Sequence, residues 1–96
     1  MAKVLSIDPA VLKRLRDLPK SDKVECLSAL CDLAEGFGQP HVHSGLGIRK
    51  LGQNLFECRG NRSFRFIFQN QPAEHFIAFL GDHDEVRALL RRGTYR

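Results

Sequence analysis

The chain has 96 residues, 43% hydrophobic and 27% charged, which fits one globular domain over residues 1–96 with a modest core and excludes a disordered tail. Lys plus Arg exceed Asp plus Glu by 15 to 11, and the resulting net charge of +4 suits a polyanionic partner. No apolar run approaches the ~20 residues of a membrane span, and "MAKVLSIDPA" lacks a signal-peptide core, so a cytoplasmic chain without membrane association is expected.

"KVLSI" (3–7) reads as a short strand. Asp8 at an N-cap position and Pro9 at the first helical position start a helix over 8–18, with Val11, Leu12, Leu15 and Leu18 as its apolar stripe. Pro19 stops it. Ser21 is placed to cap a second helix whose inner face would be Val24, Leu27, Leu30, Cys31 and Ala34, ending near Gly36 and Gly38. The two helices form a hairpin. "QPHVHSGLG" reads as a loop and "IRKLG" as a short strand. "NLFECR" and "SFRFIF" read as a hairpin, "HFIAFL" (75–80) as a further strand, and "DHDEVRALLRR" as a helix with Asp82 and Glu85 in capping-box spacing. The expected fold class is α+β: two N-terminal helices packed on a small antiparallel sheet, with a short C-terminal helix. Three cysteines (Cys26, Cys31, Cys58) with no CxxC pair read as core-filling thiols rather than a disulfide framework.

The hairpin register decides where the arginines point. A two-residue Gly60-Asn61 turn would put the apolar residues of the two strands on opposite sides, which one core cannot accept. A three-residue turn, Gly60-Asn61-Arg62, pairs Arg59 with Ser63 and Glu57 with Arg65, with Gly or Asn in the left-handed region. Phe56, Cys58, Phe64, Phe66 and Phe68 then share one face. Glu57, Arg59, Arg65 and Arg49 gather on the other, which is expected to be open. Glu57 opposite Arg65 is also a plain cross-strand ion pair.

The order and the motifs "GLGIRKLGQNLFECR", "FRFIF" and "FLGDHDEV" resemble the RelE/ParE toxin superfamily of bacterial toxin–antitoxin systems, and the "Leu-Phe-Glu-x-Arg" form is similar to its HigB-like branch. The resemblance implies a RelE-like fold and, for many members, cleavage of translated mRNA in the ribosomal A site. In that chemistry the 2′-OH attacks the adjacent phosphorus without a metal, helped by a base, cations and an acid. Carried over, Arg65 and Arg59 stabilise the phosphate, His83 transfers a proton, and Glu57 either holds Arg65 or serves as the base. Arg49, Lys50, Arg62 and His43 are the expected RNA contacts. The implied partners are a cognate antitoxin, docked on the N-terminal helices and the sheet edge, and the ribosome with its mRNA. Where many members carry a tyrosine after the last strand this chain has Val86, and its one tyrosine is Tyr95. A ParE-like inhibitor of DNA gyrase and a non-catalytic binding module therefore stand as alternatives. His41 and His43 in "HVH" are too little for a metal site, and neither a metal nor a small-molecule cofactor is expected.

Overall fold

Asp8 and Pro9 open the first helix in the computed structural model, which describes residues 3–93. The Asp8 side chain accepts from the Ala10 amide, and α1 (Pro9–Asp17) follows β1 (Val4–Ile7). The chain continues through α2 (Lys20–Gly36), α3 (Pro40–Leu46), β2 (Arg49–Lys50), β3 (Leu55–Arg59), β4 (Phe64–Asn70), β5 (Glu74–Asp82) and α4 (His83–Arg92). The α+β class and the capped last helix are as expected; Asp82 accepts from the Glu85 amide and Glu85 returns the bond.

Three local expectations change. The segment read as a loop at 39–47 forms α3, started by Pro40 and closed by Gly47 at φ 60 in the left-handed region. The helix α2 begins after Pro19 rather than under a Ser21 cap. Its buried face is Cys26, Ala29, Leu30, Leu33 and Gly36, while Val24 and Leu27 are exposed. Cys31 is exposed as well, so only Cys26 and Cys58 fill the core. Burial pushes the Cys26 thiol up to about 11 and the Cys58 thiol up to about 12, which keeps both protonated and apolar in character.

The sheet is mixed, in the order β1-β5-β4-β3-β2. β1 runs parallel to β5, whereas the other neighbours are antiparallel. Lys3 anchors this edge by donating to Asn70 Oδ1 (2.7 Å) and the Gln71 carbonyl (2.8 Å). The sequence reading missed the parallel pair because no local pattern reports which strand lies beside the first one.

The β3–β4 register keeps the parity that the apolar pattern requires, but it is set two residues further along than a three-residue Gly60-Asn61-Arg62 turn would give. Arg59 faces Arg65 and Glu57 faces Ile67. Neither Gly60 nor Asn61 takes a positive φ. The Asn61 side-chain Oδ1 instead accepts from the Ser63 and Phe64 backbone amides (2.9 and 2.8 Å), and its Nδ2 donates to the Asp22 and Glu25 carboxylates on α2. This Asx turn closes the loop and ties it to the helix.

Both faces of the sheet are covered. Phe66, Phe68, Cys58, Ile77 and Leu80 pack under α1 and α2. On the opposite face Leu55, Ile67 and Phe79 pack against Val86, Leu89 and Leu90 of α4. A bulge serves both cores: the register shift between Ile67 and Phe68 gives β5 one extra residue, so Ile77 and Leu80 face one way and Phe79 the other. The face expected to be open is therefore largely roofed by the last helix. Among the described residues no helix is long and apolar enough to cross a membrane.

Candidate functional site

Between α4 and the β2–β3 side of the sheet lies a pocket of about 350 Å³, lined by Arg49, Glu57, His83, Val86, Arg87, Leu90 and Arg91. Glu57 comes from the middle of β3 and is 4% exposed. Its neighbour across β4 is the apolar Ile67, so the expected Glu57–Arg65 pair does not form. Arg49, directly opposite on β2, provides the counter-charge with Nη2 3.0 Å from Glu57 Oε1. A buried carboxylate needs such a partner, because desolvating it alone costs several kcal/mol, roughly.

His83 opens α4 immediately after the Asp82 cap, and its Nε2 lies 2.8 Å from Nη2 of Arg87 one turn later. A guanidinium only donates, so Nε2 is the acceptor in this bond. Val86 and Leu90 form the apolar wall against the sheet. Three guanidinium groups against one carboxylate leave the pocket net positive, with an imidazole at its rim. That combination can bind an anion and move a proton beside it.

Of the sequence-predicted site residues, Glu57, His83 and Arg49 come together. Arg65 is on the same face, half-buried, across from Gly81 and diagonal to Glu57, but it does not line the pocket. Arg59 is turned away. Its guanidinium lies against Gly47, where a Cβ would meet Nε at 2.7 Å, and it lines a separate cavity with Arg62, Glu25 and Asp32. Lys50 pairs with Phe56, which sets it on the opposite face from Arg49. His43 is committed to the fold: Nε2 accepts from the Gly38 amide at 2.7 Å, and the ring lies 4.8 Å from Phe37. His43 therefore sits in a helix rather than in the expected loop. Tyr95 lies outside the described residues.

The sequence reading missed Arg87 and Arg91. Their signal was present, since His83, Arg87 and Arg91 recur at i, i+4 and i+8 and so share one face of α4. Among the described residues no group of three or more His, Cys, Asp or Glu side chains is placed to hold a metal ion. A larger cavity of about 600 Å³ between α2 and α3 is lined by Asp32, Glu35 and His41 but by no lysine or arginine.

The architecture is that of the RelE-like toxins. The chain is similar to archaeal RelE in its complex with RelB from Pyrococcus horikoshii, with 23% identity, a TM-score of 0.70, and coverage of 85% of this chain and 96% of that one. It is similar over 99% of its length to all of the E. coli toxin RelE, solved free as an arginine-to-alanine mutant, with 20% identity and a TM-score of 0.69. The YoeB–YefM toxin–antitoxin complex of Staphylococcus aureus matches at 14% identity and a TM-score of 0.61, covering 86% and 99%. No protein-family model matches the chain, and no curated protein matches it in sequence. At these identities the likeness describes the fold.

Proposed function

We propose that this protein is the toxin of a toxin–antitoxin pair, a metal-independent endoribonuclease that cuts mRNA during translation and is neutralised by a cognate antitoxin. The observation that carries the reading is the pocket under α4, where a buried carboxylate, an imidazole and three arginines converge on a RelE-like fold. The solved neighbours that contain antitoxin chains, RelE–RelB and YoeB–YefM, support an antitoxin partner.

The chemistry follows from the residues. Glu57 takes the proton of a ribose 2′-OH as that oxygen attacks the adjacent phosphorus. The P–O5′ bond breaks, leaving a 2′,3′-cyclic phosphate, and His83, in its protonated form and released from Arg87, gives a proton to the departing 5′ oxygen. Arg87 and Arg91, aided by Arg65, carry the charge that builds on the non-bridging oxygens. Arg49 holds the Glu57 carboxylate in place and adds positive potential at the mouth.

Induced expression tests this directly. Growth should stop and primer extension should find new mRNA ends inside reading frames, only where ribosomes translate. Cells that grow normally with intact mRNA overturn the reading. Inhibition of DNA supercoiling by the purified chain, with intact mRNA, would assign it to the ParE-like alternative instead.

A further inference from the structure

The outer face of α2 carries a row of side chains that its own fold does not use. Val24 is 57% exposed, Leu27 is 44% exposed, and Cys31 is exposed too. Their spacing of i, i+3 and i+7 puts them on one stripe of the helix, on the side away from the buried Cys26, Ala29, Leu30 and Leu33. Large apolar groups aligned at that spacing mark a surface that a second helix can cover.

The charges on the same helix indicate which one. On the stripe itself Lys20 stands at the N-terminal end and Glu35 at the C-terminal end, while Asp22 and Glu25 are turned away toward Asn61. Two copies of α2 laid antiparallel, centred between Leu27 and Ser28, bring the lysine of each stripe level with the glutamate of the other. In that alignment Lys20 is level with Glu35 of the second copy, and Val24 with Cys31 of the second copy. Leu27 flanks the two-fold axis, level with Ser28 of the second copy. A parallel pair would set like charges together and align the two helix dipoles unfavourably. The stripe is thus complementary to itself under a two-fold rotation, which is the condition for an isologous contact.

We infer that α2 is a self-association surface at which two copies of this chain pair antiparallel through Val24, Leu27 and Cys31, with Lys20 of each beside Glu35 of the other. One helix pair lies at the small end of protein interfaces, so the dimer is weak and concentration-dependent. The surface is on the opposite side of the molecule from the pocket under α4, separated from it by the sheet.

Sedimentation equilibrium of the purified chain over a wide concentration range should show the mass rising from monomer toward dimer. Leu27→Glu should hold it at monomer with an unchanged circular dichroism spectrum, since Leu27 contributes little to the core. Lys20→Glu and Glu35→Lys should each weaken the dimer about three- to tenfold, and an equal mixture of the two should restore it, because opposite charges then meet at both ends. Orientation has its own check. Two Cys31 residues in the antiparallel pair are about 10 Å apart along the axis, seven residues at 1.5 Å each, too far for a disulfide. Val24→Cys places a thiol level with Cys31 of the second copy, so the variant should cross-link on oxidation while the wild-type chain does not. A wild-type chain that stays monomeric, whether its α2 face is bare or taken by another protein, overturns the inference. So does a Leu27→Glu variant that still dimerises, or a wild-type chain that cross-links through Cys31.

Discussion

Arg14 on α1 grips Glu85 on α4 with both ends of its guanidinium, Nη1 to Oε2 at 3.0 Å and Nη2 to Oε1 at 2.9 Å. The same carboxylate accepts from the Asp82 amide at 2.9 Å, completing the capping box. One acidic residue thereby ties the first helix to the turn that presents His83. Arg14 also lies over the Phe64 ring, 5.8 Å from its centroid, so its position is fixed by packing as well as charge.

Arginine hydrogen bonding, followed by the Asp82 amide, pulls the Glu85 carboxyl down to about 2 from 4.5. Between those values the unfolded chain binds the extra proton, so stability rises with pH there. The Glu85 contribution is present above about pH 4.5 and is lost as the pH falls toward 2. Thermal melts of the wild type and Arg14→Ala between pH 2 and 6 should diverge above pH 4.5 and converge at the acid end. Removing the cap itself, Asp82→Ala, should cost about 1 kcal/mol in denaturant melts.

His75 predicts a second acid sensitivity. Its ring is fully buried, against Phe37 and Phe68, and neither nitrogen has a hydrogen-bond partner among the described residues. Desolvation, reinforced by the Lys3 charge, lowers its titration below 6.5. Protonation therefore favours the unfolded chain, and stability falls as the pH drops below about 6.5. His75→Leu should flatten the melting temperature between pH 5 and 6.5 and leave stability at pH 7.5 unchanged or higher.

For the site, Glu57→Gln, His83→Ala and Arg87→Ala should each lower RNA cleavage by about 10²–10⁴-fold, the range for removing a proton-transfer or charge-stabilising group. Arg65→Ala should also reduce it. Arg59→Ala and His43→Ala should leave toxicity unchanged, because Arg59 is turned toward Gly47 and His43 caps the Gly38 amide. Toxicity assays with the six variants beside wild type decide between this pocket and a site spread across the sheet.

Arg49→Ala should destabilise the fold by about 1–3 kcal/mol, since it leaves the buried Glu57 carboxylate without its charged partner. Replacing both residues by leucine should recover most of that loss, because the cost is the orphaned charge and not the missing contact. Urea melts of the single and double variants measure the difference.

Much of this protein is decided by local chemistry. Asp8-Pro9 and Asp82 with Glu85 set helix starts that form as read, because caps act within one turn of chain. The alternation through Phe56, Cys58, Phe64, Phe66 and Phe68 assigns the sheet faces, because a slip by one residue would carry a strand's whole apolar set to the opposite face. The helix α3 was also legible, in Pro40 at its start and Gly47 at its end, but the polar "HVH" between them argued for a loop. Other features depend on partners distant in the chain. The β3–β4 turn is held by Asn61, which reaches Asp22 and Glu25 on α2, a contact that no hairpin rule contains. Glu57 pairs with Arg49 rather than Arg65 because β2 lies beside β3, and Arg87 with Arg91 enters the site because α4 folds back over the sheet. Periodicity fixes which face a side chain takes; only packing between elements decides what that face meets.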